Sequence, residues 1–391
     1  MRTFFIGLLP LVIVLGNSMF IPLIPTIEDD LRLTVEESGY FLTIFTIPAA
    51  ILIPLSGLLS DRYGRKTVAL ASLVLIMVGC LISSLFRSHY EWVLVGRFLQ
   101  GCGAGGVAPL AMTFVADLYD GERRNRAFAA IELFNGIGKV ISPLLGSIAL
   151  LYAWETSYLI LFSVALFAFI GIETFIPNRR VSMTENESFR VKYKRGKKLF
   201  SDHWRWLVPI FISGAIGMFL LFGYLYYLSH AFASVLNGIV LTIPLLVFTV
   251  STYRTGKALK EHEDSYKRGI VYGFALMLIG TLSMIFSIDT IFMIVSTVAF
   301  AIGFGILLPS ANAALASLVS KKERGLMFSL YSMCRFFGVA FSPVFFGISM
   351  QAPLEMAFSS FFFVSFIGLI IAYSWNCFPI GKHCLSHEDL Y

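Results

Sequence analysis

Four ionisable side chains stand where their surroundings make charge costly. Arg97, Glu132, Lys139 and Arg335 each lie inside an apolar run long enough to cross a bilayer. A charge at that depth costs at least about 2.5 kcal/mol on insertion scales, so each marks a candidate site for protons or polar ligands. Within 127–151, Glu132, Asn135, Lys139 and Ser142 follow at i, i+3, i+7 and i+10, which is one helical face. Lys139 falls roughly 18 Å along that helix, near a bilayer midplane. The run 326–350 carries Ser332, Arg335 and Ser342 in a similar pattern, and Asn17 and Asn312 add polar groups in two more runs. Three cations thus accompany one deep acid. Two uses are open to Glu132: a static ion pair with Lys139 or Arg335, or a carboxylate that carries a proton when its cationic partner is withdrawn. Surplus positive charge favours neutral or anionic amphiphiles and repels lipophilic cations. Glu173 is close enough to the end of its run to reach water, which makes it structural.

A second cluster is the stretch GLLSDRYGRK at 57–66, a charged turn pinned between two apolar runs. Gly57 and Gly64 permit close approach and a sharp turn. Asp61 is suited to a neighbouring helix N-terminus, where the dipole favours an acid.

The elements that must position these residues follow from composition. The chain is 57% hydrophobic and 14% charged, against about 45–50% and 25% in soluble domains. A chain this apolar belongs in a bilayer. The first apolar run follows directly on Arg2 and has no small-residue cleavage site, so it is expected to span rather than to be removed. Runs of about 20 apolar residues predict twelve spanning helices. They lie near 4–27, 38–59, 67–86, 92–117, 127–151, 155–177, 205–229, 233–253, 268–287, 290–317, 326–350 and 354–376. The expected class is an all-α membrane protein of two homologous six-helix bundles, 1–177 and 205–377. They are joined by a basic connector, 178–204, and followed by a tail, 378–391.

Cations orient the spans. With the N-terminus inside, 25 Lys and Arg fall on the cytoplasmic side and two, Arg32 and Arg87, outside. Both termini are therefore expected in the cytoplasm, with the chain multi-pass in the cell membrane. The same bias accounts for the formal charge of +6 without nucleic acid. The basic run of the connector suits anionic lipid.

The five Cys show no metal spacing or disulfide framework. Cys377, His383, Cys384 and His387 read as a short tail rather than as ligands. No metal or cofactor is expected.

The two bundles share a repeat. With a shift of 200 residues, 101–148 and 301–348 agree at 12 of 48 positions without a gap, including Gly103/Gly303, Gly105/Gly305, Pro109/Pro309, Arg124/Arg324, Gly138/Gly338 and Pro143/Pro343. Weak internal symmetry of this kind is common in transporters. Glycines 103, 105, 106, 136 and 138 are expected to serve close helix packing.

Twelve spans, a central basic connector, the repeat and GLLSDRYGRK together resemble the major facilitator superfamily, and within it the twelve-helix drug:proton antiporters. The stretch matches that superfamily's loop signature between helices 2 and 3. LGNSMFIPLIP, from Leu15 to Pro25, is similar to its first-helix pattern, and RFLQGCGAG, from Arg97, to its fourth-helix signature. Helix 5 departs from the antiporter pattern, since SPLLGS, Ser142 to Ser147, has serines where two glycines are usual. The resemblance implies a cavity lined by helices 1, 4, 7 and 10, toward which the buried polar residues converge. It also implies a gating latch of Gly57, Asp61, Arg62, Gly64, Arg65, Lys66 and Asp117. In that latch Asp61 meets the start of helix 11 near Arg324 to Phe328, and Arg65 pairs with Asp117.

The expected function is proton-coupled export of small organic molecules by alternating access, by a monomer and without covalent chemistry. The second reading is export of one endogenous anionic metabolite, such as a siderophore, an organic acid or a lipid-like compound. The altered Gly-Pro pattern leaves uptake symport open. A receptor or scaffold would need large extramembrane domains, and a membrane enzyme an acid, base or metal cluster at the interface. The sequence offers neither.

Overall fold

The computed structural model describes residues 1–177, 189–231, 236–259, 263–286, 290–319, 324–351 and 354–374. The first part of the connector, Lys321 and Lys322, and the cysteine- and histidine-bearing tail lie outside these residues. Among the described residues, fourteen α-helices account for the twelve expected spans. They are α1 (Arg2–Ser18), α2 (Ile24–Leu31), α3 (Val35–Tyr63), α4 (Arg65–Leu85), α5 (Tyr90–Val107), α6 (Leu110–Leu118) and α7 (Gly121–Ala149). After them come α8 (Thr156–Phe175), α9 (Phe189–Ala231), α10 (Leu236–Ala258), α11 (Glu263–Phe286), α12 (Thr290–Leu318), α13 (Arg324–Ser349) and α14 (Leu354–Tyr373). The count exceeds twelve because the first and fourth spans are broken.

Proline explains both breaks. Pro22 and Pro25 lack the N–H that would continue the helix, so α1 stops at Ser18, a short 3-10 turn covers Ile21–Leu23, and α2 resumes. Pro109 separates α5 from α6 in the same way. Its repeat mate Pro309 lies inside the continuous α12.

Polar helix ends outrun the apolar spans. Thr34 Oγ1 accepts from the Glu37 N–H at 3.2 Å, and Glu37 Oε2 accepts from the Thr34 N–H at 2.8 Å. This capping box starts α3 at Val35, before the first apolar residue of the span. At its other end α3 continues through Asp61 and Arg62 to Tyr63, so the expected ten-residue turn is helical except at one point. That point is Gly64, at φ 93° and ψ 139°, where an L side chain would be strained. The close approach expected at Gly57 is not made here: a Cβ there would meet nothing within 4 Å. In the same way α9 begins at Phe189, inside the basic connector, so the boundary placed at 204 falls within a helix.

The chain divides into two compact units. One comprises Met1–Asn186, Gly223–Ile243 and Val339–Ile348, and the other Glu187–Phe222, Pro244–Gly338 and Ser349–Tyr391. In the first, α4 packs on α5 and α8, α3 on α5, and α1 on α7 and α8; in the second, α11 packs on α12 and α14. Glycines set these separations. A Cβ at Gly105 would lie 2.5 Å from the Ala49 carbonyl oxygen on α3, and one at Gly79 2.5 Å from that of Gly96. The repeat keeps the arrangement. A Cβ at Gly303 would lie 2.6 Å from the Gly273 carbonyl oxygen on α11, and one at Gly305 2.9 Å from that of Phe248 on α10.

Large apolar side chains cover the outside. On α7, Leu133, Ile137, Ile141 and Ile148 are exposed along one stripe, as are Phe341, Phe345 and Ile348 on α13. Such stripes suit hydrocarbon as the solvent.

The two glycines of the first bundle predict opposite stability effects. Gly105→Ala should destabilise by about 1–3 kcal/mol, the usual cost of overpacking, because helix backbone opposes the new methyl. Gly57→Ala has open space and should be neutral or stabilising by up to about 1 kcal/mol, from helix propensity. Thermal unfolding of both variants in detergent checks the pair.

Candidate functional site

Arg97 is wholly buried on α5. Its guanidinium Nη1 donates to the Gly16 carbonyl at 2.7 Å and to Gln100 Oε1 at 2.9 Å, and Nε donates to the Phe41 carbonyl at 3.3 Å. Its Cζ lies 4.5 Å, 4.7 Å and 4.5 Å from the ring centroids of Phe20, Phe41 and Phe45. The local sequence explains this. Because α1 stops, the Phe20 N–H bonds the Asn17 carbonyl at 3.4 Å instead of that of Gly16. A carbonyl freed at a helix C-terminus needs a donor, and a cation there is favoured by the dipole. Arg97 supplies both, while aromatic faces replace the water it has lost. In this conformation Arg97 is enclosed rather than presented to a cavity.

The polar face of α7 has a definite direction. At about 100° per residue, Asn135, Lys139 and Ser142 fall roughly opposite the exposed stripe of Leu133, Ile137 and Ile141. Ser142 is buried, its Oγ donating to the Lys139 carbonyl at 3.3 Å; Asn135 and Lys139 are half-buried, and Glu132 is exposed on the flank of this face. On α13, half-buried Arg335 falls on the flank of the stripe of Phe341, Phe345 and Ile348, with its Cζ 5.5 Å from the ring centroid of buried Tyr331. Asn17 on α1 is buried and Asn312 on α12 half-buried. Each has a buried Oδ1 with no partner among the described residues.

At the Gly64 break, the first turn of α4 brings Arg65 into an ion pair with Asp117 at the end of α6. Arg65 Nη1 also donates to the Thr113 carbonyl at 3.1 Å. Lys66 Nζ pairs with Glu173 Oε2 at 3.2 Å and donates to the Glu173 carbonyl at 2.6 Å. Asp61 lies near enough to act on the charge of Arg65, and Arg62 stacks over Tyr63 at 5.2 Å. The break thus ties α4 to α6 and α8 through charge.

Sequence reasoning missed a further polar cluster, Glu28, Ser38, Tyr226 and His230. His230 Nε2 lies 2.9 Å from Glu28 Oε1, and Ser38 Oγ bonds the same oxygen. Each of these residues sits near a span end, where polar side chains are ordinary. Only the fold brings residues 28 and 230 together, so local pattern held no signal.

A sequence profile described as the Major Facilitator Superfamily matches residues 6–263 and 238–378. The bacillibactin exporter of Bacillus subtilis (strain 168) is 32% identical over 376 residues, covering 93% of both chains. Multidrug resistance protein 1 of the same organism is 24% identical, again over 93% of each. In three dimensions the chain is similar to the crystal structure of a human organic anion transporter, at TM-score 0.72 and 16% identity over 95% of this chain and 98% of that one. It is also similar to that of a D-xylose-proton symporter, at TM-score 0.77 and 14% identity over 96% of both. These likenesses fix the fold, while the profile and the full-length relatives fix the lineage: the chain is a multi-pass membrane transporter and belongs to the major facilitator superfamily.

Proposed function

We propose that this protein is a proton-coupled exporter of small organic molecules, working by alternating access, whose substrate is a neutral or anionic amphiphile. The observation that carries the reading is the near-complete match, at 32% identity, to a relative named for exporting bacillibactin. The polar faces of α7 and α13 support the charge preference. Lys139 lies opposite the exposed stripe of its helix and Arg335 beside that of its own, both half-buried, and a cation withdrawn from water needs a compensating charge, dipole or water access. Asn17 and Asn312, each with a buried acceptor oxygen, are further candidate polar groups of the pathway. Arg97 has a different part, holding the break of α1. Glu132 carries the coupling proton. The charged break at Gly64 is the latch on the cytoplasmic side, and the distribution of Lys and Arg supports a cytoplasmic location for both termini. The bundles 1–177 and 205–377 are the moving bodies, and the protein works as a monomer. Broad drug efflux is the second reading, favoured by the multidrug relative at 24% identity.

Transport in proteoliposomes with an imposed proton gradient tests the reading. Asp61→Asn and Gly64→Val should slow transport by about tenfold or more while leaving folded protein, since a branched side chain at φ 93° is strained by roughly 1–3 kcal/mol. Normal rates in both would remove the latch. Glu132→Gln should abolish uphill accumulation and retain exchange down a substrate gradient; retained accumulation would place the proton elsewhere. Lys139→Gln and Arg335→Gln should each weaken anionic ligands by about tenfold, near 1.4 kcal/mol, and neutral ones less. Dissociation constants for matched anionic, neutral and cationic ligands decide this, and equal changes in all three would make the cations structural.

A further inference from the structure

The cluster around His230 allows a proton to be counted. His230 Nδ1 lies 2.9 Å from the Tyr226 carbonyl, one turn back along α9. A carbonyl only accepts, so Nδ1 carries a hydrogen. The nearby Ser229 hydroxyl does not supply it, because its own hydrogen goes to that same carbonyl at 2.7 Å. The other ring nitrogen, Nε2, lies 2.9 Å from Glu28 Oε1. Either Nε2 donates to a carboxylate, making an imidazolium, or a protonated Glu28 donates to Nε2. In both cases the pair holds one proton more than a neutral histidine and a carboxylate hold when apart. Further hydroxyls join the pair. Tyr226 Oη lies 2.6 Å from both Ser38 Oγ and the Val35 carbonyl, and Ser38 Oγ bonds Glu28 Oε1. Both side chains are 12% exposed, so the extra proton is shielded from bulk water.

The titratable and charged neighbours on the packed elements fit an added positive charge. Tyr90 on α5 and Glu28 both act on Tyr226, and Glu36 and Glu37 stand in the first turn of α3. A recess of about 450 Å³ beside the end of α2 is lined by Asp30, Arg32, Arg87, Tyr90, Trp154 and Glu155, with Arg87 paired to Glu155.

The cluster lies at a seam. Gly223–Ile243 and Val339–Ile348 belong to the same compact unit as α1 to α8 and close against them at this end. Thr43 Oγ1 donates to the Ala340 carbonyl at 2.5 Å, and Cβ atoms at Gly39 and Gly238 would lie 3.1 Å and 2.5 Å from the carbonyl oxygens of Pro343 and Pro143. The cation distribution assigns this end to the outside. We propose that His230 and Glu28 form a proton-binding site that clasps the outer end: closing this seam takes up one proton from the outside, and opening it releases that proton there. Histidine suits the task because its charge changes within the physiological range. The assignment of the site to an outer gate rests on the transporter reading above, whereas the coupling between seam and proton does not.

The test is conformational and needs no substrate. In the full-length chain in nanodiscs, with its five native cysteines replaced by alanine, spin labels are placed at Asp29→Cys and Ala231→Cys, both exposed positions. Pulsed electron paramagnetic resonance then gives the ratio of short to long label distances between pH 5.5 and 8.5. One linked proton predicts that the closed, short-distance population gains on the open one by up to about tenfold per unit of falling pH. His230→Gln should flatten the dependence. Glu28→Gln should flatten it and favour long distances. A ratio that is constant with pH in the otherwise unaltered labelled chain would overturn the proposal, as would a slope that survives His230→Gln. If a variant fails to reach the membrane, the titration of the unaltered chain decides alone. Absence of transport for every compound tried would count against the exporter reading and leave this measurement standing.

Discussion

A helix broken inside hydrocarbon leaves a carbonyl that no water can reach, and the protein must supply its donor. Pro22 breaks the first span, the Gly16 carbonyl is freed, and Arg97 takes it. Much of the first bundle follows from that bond. Arg97 reaches α1 and α3 only because α5 lies close to α3 and α4, and it lies close because Gly103 and Gly105 have no side chains in the way. The guanidinium then lies among three phenylalanine rings and two carbonyl dipoles. Hydrogen bonds to a charged group contribute about 1.5–3 kcal/mol each, and a desolvated cation–π contact about 2. Dipoles and ring quadrupoles therefore hold this charge.

The repeat shows which parts of that solution are general. Gly103 and Gly303 each meet the backbone of the preceding span, and Gly105 and Gly305 that of the span before it. The packing geometry is common to both copies. The breaks are not. Pro109 divides its span, while Pro309 is carried inside α12. The position of Arg97 has no counterpart charge, since residue 297 is threonine. One copy thus has a broken span and a buried arginine, while the matching positions of the other are a continuous helix and Thr297. Sequence identity in register preserved contacts between backbones, where any side chain would intrude. It did not preserve the charges at 97, 132 and 139, which stand opposite Thr297, Ser332 and Val339 in register, because the value of a buried charge depends on what surrounds it.

The sequence made legible what depends on one helix and the solvent around it. The twelve spans followed from apolar length, and the spacing of Asn135, Lys139 and Ser142 marked the face of α7 opposite its exposed stripe, whereas Glu132, grouped with them by spacing, is exposed on the flank. Helix ends were less legible, because hydropathy reports on hydrocarbon and a helix needs only satisfied backbone groups. Asp61 and Arg62 extend α3 past its apolar run, and the Thr34 capping box begins it earlier. Interactions between distant residues were not legible from composition or period. Arg65 with Asp117 came through family likeness, while Glu28 with His230 followed no pattern, since 202 positions separate them.

The charges can be ordered by how each is balanced, and that order matches the use each can serve. Arg97 is fully buried and bound to carbonyls that move only if α1 and α3 move, so it serves as a fixed tie. Arg65 and Lys66 are paired at a surface, where an ion pair contributes about 0–1 kcal/mol and can be exchanged cheaply. Such pairs suit a latch that must release. Lys139 is intermediate: half-buried and on the face of α7 opposite its exposed stripe. The Glu28–His230 pair is small in exposure yet lies at a helix end, so moving that end a few ångströms exposes both partners to water at once. Among these charges only histidine changes state in the physiological range without strong perturbation. A sensor of external protons is therefore better placed at this seam than at the midplane, which the exporter reading gives to Lys139 and the substrate.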